Sequence, residues 1–284
     1  MVMKSFTLVA FASLVLAGAC REDPHATFTE LTTARRVAAD LRLQFTKTAD
    51  ASNRAVLADT DEASDAYARE ADHLTGLIKS DVADIEPRLR RLADAEALKA
   101  LDAFQRQFGD YEKLDRQILG LAVENTNLKA QRLAFGPGRE AADAFRDSLN
   151  GALDKAAKKD RCRLDEQVAS AVTAVREIQT LWAPHIAERE DQVMTRLEGQ
   201  MAALEDKATG ALALLPAAVG ADARPALARF TQVSKEIVKL SRRNSNVIST
   251  DLALRKLPAL TAACDESLRM LNDELAKDPF PATR

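Results

Sequence analysis

Apolar side chains return every third or fourth residue for thirty positions at a stretch. The clearest run is Leu101, Phe104, Phe108, Tyr111, Leu114, Ile118, Leu121, Asn125 and Leu128. A stripe of that period and length is one face of a long α-helix, and no strand can present it. A second stripe runs Leu31, Ala34, Ala38, Leu41, Phe45, Thr48, Ser52 and Val56. Composition agrees: aromatics are 5% of the 284 residues, with 10 Gly and 9 Pro, which argues against an all-β chain. The expected fold class is therefore all-α.

Punctuation divides the chain. The spacing predicts helices over 28–58, 61–93 and 94–135, with Asp59-Thr60-Asp61-Glu62 as a capping turn and Gly136-Pro137-Gly138 as a stop. A fourth helix starts at Arg139, carrying Phe145, Leu149 and Leu153. The pattern then recurs over 164–183, 185–215, 223–254 and 257–277, after a basic stretch (Lys155 to Arg163) through which a helix could run as a solvated connector. Residues 108–149 laid on 227–268, a shift of 119, give nine identities in 42 pairs without a gap, where about three would come by chance. Asn125 and Asn127 fall on Asn244 and Asn246. The expectation is two tandem up-down four-helix bundles, residues 28–157 and 158–277, followed by a tail at 278–284.

The first twenty residues read as an address. Lys4 precedes an apolar run from Phe6 to Leu16, of signal-peptide length and too short to span a bilayer. It closes Leu16-Ala17-Gly18-Ala19-Cys20, which resembles a bacterial lipobox. That resemblance implies lipidation of Cys20, a short tether over 21–27, and a place in the cell envelope facing the periplasm. Arg21 rather than Asp after the Cys favours the outer membrane. Ala17-Gly18-Ala19 also suits ordinary secretion. Removal of the leader, with Lys4, takes the formal charge from −3 to −4. A balance so near neutral gives no case for a nucleic-acid partner.

Cys162 and Cys264 remain. In two sequential bundles Cys162 would lie beside residues near Asp273, about 14 Å along the axis from Cys264, too far for a disulfide. Cys264 falls on an apolar face and reads as a small buried hydrophobe.

The long opening helix with Thr33-Ala34-Arg35-Arg36-Val37-Ala38, the turn Ala55-Val56-Leu57-Ala58-Asp59-Thr60-Asp61-Glu62, the segment Asn244-Ser245-Asn246-Val247-Ile248-Ser249-Thr250 and the later Leu260-Thr261-Ala262-Ala263-Cys264-Asp265 resemble the extracytoplasmic four-helix-bundle sensor domain of methyl-accepting chemotaxis receptors. The resemblance covers about residues 28–277. It implies a helical bundle and a small ligand held between helices, with arginines holding a carboxylate. Arg35, Arg42 and Arg54 are the candidates it suggests. Those receptors carry membrane-spanning helices and a signalling coiled coil, which this chain lacks, so signalling by the chain alone is not implied. A homodimer is.

Asn125 and Asn244 occupy stripe positions where Leu or Ile is expected. A buried Asn either fixes helix register or anchors a ligand. Arg35, Arg42 and Arg54 can equally be a solvated face. Trp182, before Pro184, reads as a bundle-end cap. Three histidines, no metal-ligand Cys spacing, no HExxH and no Gly-rich phosphate loop leave no enzyme, metal or cofactor reading. The functional expectation is a lipid-anchored sensor-like protein that binds a small organic ligand or relays to a membrane partner. The alternative is a scaffolding envelope lipoprotein that docks other envelope proteins.

Overall fold

The computed structural model describes residues 24–154 and 157–277. The leader, Cys20, most of the tether and the 278–284 tail lie outside the described residues. Everything described is helix and short turns. The helices are α1 (Pro24–Leu57), α2 (Asp61–Arg91), α3 (Ala95–Glu124), α4 (Thr126–Leu133), α5 (Arg139–Asp154), α6 (Lys158–Ala187), α7 (Asp191–Ala213), α8 (Ala217–Gly220), α9 (Ala223–Arg243), α10 (Ser245–Arg255) and α11 (Leu257–Ala276). One π-helical turn, Ala134–Gly138, joins α4 to α5. The fold is all-α, and no described helix is long and apolar enough to cross a membrane.

Local chemistry sets the turns. Thr60 Oγ1 accepts the Ala63 amide at 3.1 Å and starts α2. Asp94 accepts the Ala97 amide at 2.9 Å and starts α3. Each cap satisfies an amide that the first turn leaves without a partner. Ser64 closes the α1–α2 hairpin by donating to the Ala55 carbonyl at 2.9 Å.

The cores group the helices differently from the sequential modules. One core takes Phe45 and Leu41 from α1, Ile78 and Ile85 from α2, Phe104 and Tyr111 from α3, and Leu268 and Leu271 from α11. The other takes Ala130 from α4, Phe145 and Leu149 from α5, Val175 and Trp182 from α6, Met201 from α7, and Phe230 and Ile237 from α9. Each group thus takes one member from the other half of the chain, α10–α11 joining the first core and α4–α5 the second. The helices on either side of position 157, α5 and α6, both contribute to the second core.

The cause lies at two residues. The third predicted helix does not stop at Gly136-Pro137-Gly138. It breaks earlier, at Asn125, and a second half runs on through Pro137. The long helix of the second repeat breaks in the same way at Asn244. Both asparagines hold a left-handed backbone, φ 49° and 55°, which Asn tolerates better than other side chains bearing a Cβ. Pro137 has no amide to give, and the π turn absorbs the missing bond without ending the helix.

Other expectations change with this arrangement. Cys162 and Cys264 are free thiols, one exposed on α6 and one buried in the first core. They lie in different helix groups, so the expected neighbourhood of Cys162 and Asp273 does not form. Burial pushes the Cys264 thiol up to about 12. Trp182 is not an end cap. Its ring is buried against Phe230, with centroids 5.3 Å apart, and its indole N–H donates to Ser234 Oγ at 3.1 Å.

Gly138 is required by that ring. A Cβ there would lie 2.7 and 2.8 Å from Trp182 ring carbons and 3.0 Å from the Leu133 carbonyl, whereas a Cβ on Gly136 would meet nothing within 4 Å. Gly138→Ala should therefore cost about 1–3 kcal/mol in denaturant unfolding. Gly136→Ala should be neutral or gain up to about 1 kcal/mol. Equal effects of the two would contradict this packing.

Candidate functional site

Breaking a long helix creates a new N-terminus, with amides that have no intrahelical acceptor. In α4 and α10 these are met by the opposite segment. The two broken helices cross antiparallel, Asn125-Thr126-Asn127 against Asn244-Ser245-Asn246. The Thr126 amide donates to Ser245 Oγ at 3.1 Å, and the Ser245 amide to Thr126 Oγ1 at 3.0 Å. The Asn127 amide donates to Asn246 Oδ1, and the Asn246 amide to Asn127 Oδ1, each at 3.1 Å. Neither helix is capped by its own preceding residue. Each caps the other.

Side-chain amides complete the joint. Asn246 Nδ2 donates to Asn125 Oδ1, and Asn127 Nδ2 to Asn244 Oδ1, both at 2.8 Å. Asn127 Nδ2 also reaches the Ile186 carbonyl at 2.6 Å, and Asn244 Nδ2 the Glu188 carbonyl at 2.8 Å. Carbonyls at the end of α6, which lack helical partners, are satisfied here. Beside the joint, Arg243 meets Glu124 bidentately, with Nε–Oε2 at 2.6 Å and Nη2–Oε1 at 2.5 Å. The Arg243 bond holds the Glu124 carboxyl below its ordinary range. Asn125 Nδ2 alone is buried without an acceptor.

The expected ligand arginines do not converge. Arg35 and Arg54 are about 28 Å apart along α1. Arg35 donates to the Leu275 and Lys277 carbonyls at 2.5 and 3.1 Å, capping the end of α11. Arg42 pairs with Asp265 at 3.0 Å. Arg54 donates to Tyr67 Oη at 2.8 Å. All three tie helices together.

A Ser–His–acid line, which sequence spacing does not reveal, forms between α6, α7 and α9. His185 Nδ1 lies 2.8 Å from Ser241 Oγ, and Nε2 lies 2.9 Å from Glu198 Oε1. Arg242 Nε donates to the same Glu198 oxygen at 2.6 Å, which is the main cause of the lowered Glu198 pKa. Ser241 and His185 are both fully buried. No substrate atom can approach Oγ in this packing, and the line acts as a tie between three helices. Among the described residues no group of His, Cys, Asp and Glu could hold a metal.

In the other core, Asp115 is buried at the α1–α3 seam. Ser52 Oγ donates to its Oδ2 at 3.0 Å, while its Oδ1 and the Tyr111 hydroxyl have no partner. Burial pushes the Asp115 carboxyl up to about 7.

Three lateral grooves are large enough for small ligands. One of about 540 Å³ lies between the α4–α5 arm and α6, against Phe135, Trp182 and Ile186. One of about 500 Å³ lies between α1 and the α10–α11 arm, against Phe45, Ala253 and Leu257. The 119-residue shift brings Ala134 and Gly138 of the first arm onto Ala253 and Leu257 of the second. A shift of 134 brings Arg42, Thr46 and Ala49 onto Arg176, Thr180 and Ala183. These two grooves are therefore counterparts, one on each side of the crossing. A third, about 770 Å³, lies between α7 and α9, beyond the Arg242 ties. None of the three is lined by Asn125 or Asn244.

Sequence reasoning located the paired asparagines but not the break. The signal was present: a residue tolerant of left-handed backbone precedes Thr or Ser, a capping type, in both repeats. No family model matches the chain, and neither curated proteins nor solved structures give a match.

Two measurements test the interior. Asn125→Gly and Asn125→Ala both remove the bond from Asn246, but only Ala pays for φ 49°. Ala should unfold about 1 kcal/mol more easily than Gly. The reverse order would reject the left-handed break. Asp115 has its pKa raised in the fold, so the folded chain keeps a proton that the unfolded chain loses. Stability should fall as pH rises from about 4 to 7, by roughly 4 kcal/mol at most, and then level off. Asp115→Asn should be more stable than the parent at pH 8 and no better at pH 3. A gain independent of pH would contradict the buried carboxyl.

Proposed function

We propose that this chain is a lipid-anchored, extracytoplasmic helical protein of sensor-like type. It holds a small organic ligand between helices and relays occupancy toward a membrane partner. The observation that carries this reading is the pair of matching ligand-sized grooves, one on each side of the joint that links the two helix groups. A ligand wedged beside either arm loads a helix that continues, past Asn125 or Asn244, into the other group.

Anchoring through Cys20 rests on the leader's composition and is consistent with the chain's path. Arg35 binds the last carbonyls of α11, so both ends of the described chain lie at one tip, away from the crossing. A membrane tether there leaves the grooves clear. The runner-up is a scaffolding envelope lipoprotein, and exposed Phe28, Leu43 and Leu57 on α1 support it.

The test has two arms. Cys20→Ser should release the protein from the membrane fraction and abolish incorporation of labelled palmitate; retention of the label would overturn the anchor. A thermal-shift screen with small carboxylates, amino acids and purines should give a reproducible rise. A ligand at about 100 times its Kd adds roughly 2.7 kcal/mol. No rise anywhere in the panel favours the scaffold.

A further inference from the structure

We infer that the groove between the α4–α5 arm and α6 is a binding site for a small aromatic monocarboxylate. This assignment rests on the ligand-binding reading above and names the site and the ligand class.

Charge is the first argument. Asp143 lies among Arg139, Arg146 and Arg176, with Arg176 at 2.5 Å and Arg146 at 2.9 Å. The bond from Arg176, and then the other guanidiniums, hold the Asp143 carboxyl below its ordinary range. Arg146 is shared with Asp147 at 2.8 Å. Three guanidiniums thus face two carboxylates, and one cation is in surplus. Arg139 and Arg176 both line the groove, and Arg139 makes no hydrogen bond or ion pair within the described residues. Arg139, near Asp143 but not bonded to it, stands beside an Arg176 that Asp143 and Gln179 already hold, and its free donors suit a single bidentate anion.

Shape is the second. The π turn breaks the regular face of the arm and leaves the Phe135 ring 68% exposed at the groove's edge. Trp182, Ala183 and Ile186 supply an apolar wall opposite. A flat ring can stack on the exposed Phe135 ring, above an apolar floor to which the buried Trp182 contributes an edge. The counterpart groove across the joint differs: Pro258 stands where Arg139 does, and Asp265 lines it. Of these two counterpart grooves, only the α6 side carries the extra cation, Arg139.

Trp182 is the chain's single tryptophan and lines this groove, so its emission follows a ligand bound there. Titrating the purified protein with benzoate and phenylacetate should give a saturable change in Trp182 emission. Benzamide should bind at least tenfold more weakly. Arg139→Gln should raise the Kd about tenfold or more while leaving the unfolding midpoint unchanged. Arg139→Lys should recover part of the loss. No saturable change with either acid overturns the assignment, as does equal affinity of Arg139→Gln. If acids or other ligands then still raise the thermal midpoint, ligand binding survives and belongs to another groove. If nothing raises it, the binding reading falls too.

Discussion

Amides left over when a helix is broken must find acceptors, and in a water-excluded crossing the only acceptors are side chains of the other broken helix. That constraint organises this molecule. Thr126 and Ser245 exchange amide-to-hydroxyl bonds, and Asn127 and Asn246 exchange amide-to-carbonyl bonds. Neither break can be dry without the other. A buried unpaired amide costs about 1–3 kcal/mol, so four such bonds make the two breaks one cooperative unit. The exchanged cores follow from this. Once the chain turns at Asn125, its second half leaves the first core, and the returning half from Asn244 must replace it.

The joint also decides which polar residues are free for other work. Asn125 and Asn244 look like ligand anchors from sequence because they interrupt apolar stripes. In the fold they set backbone geometry: their side-chain oxygens accept from Asn246 and Asn127, Asn244 Nδ2 donates to the Glu188 carbonyl, and Asn125 Nδ2 is left without an acceptor. The arginines of α1 are likewise spent on carbonyls, Asp265 and Tyr67. On the proposed reading, recognition falls to a residue that no stripe or motif marks, Arg139, one position past the π turn.

Helix existence was legible because periodicity is a local property, repeated over thirty residues. Phe104, Phe108, Tyr111 and Ile118 are buried as their spacing requires. The repeat was legible as well, down to the pairing of Asn125 with Asn244. What could not be read was continuity. Gly136-Pro137-Gly138 has the composition of a stop, yet a π turn carries the helix through it because Gly138 makes room for the Trp182 ring. Asn125 has the composition of a tolerated helix residue, yet it breaks the chain because a partner 119 positions away caps the new end. Both outcomes are decided by contacts remote in sequence. Ser241, His185 and Glu198 were hidden for the same reason.

The two-fold likeness of the repeats does not extend to their surfaces, and the difference bears on function. Interior positions are held to matching types by the shared joint. Groove positions are under no such restraint: Phe135 answers to Leu254, and Arg139 to Pro258. Phe135 and Leu254 both stand exposed, at 68% and 72%, so each arm keeps an apolar side chain outside its core. An exposed apolar residue gains nothing for stability where it stands. Phe135 lines its groove, whereas Leu254 does not line the counterpart. The groove beside Phe135 is also lined by Arg139 and Arg176. A symmetric frame with asymmetric grooves gives a relay a direction. On the proposed reading, occupancy on one side of the joint would shift an arm whose other half is packed in the opposite core.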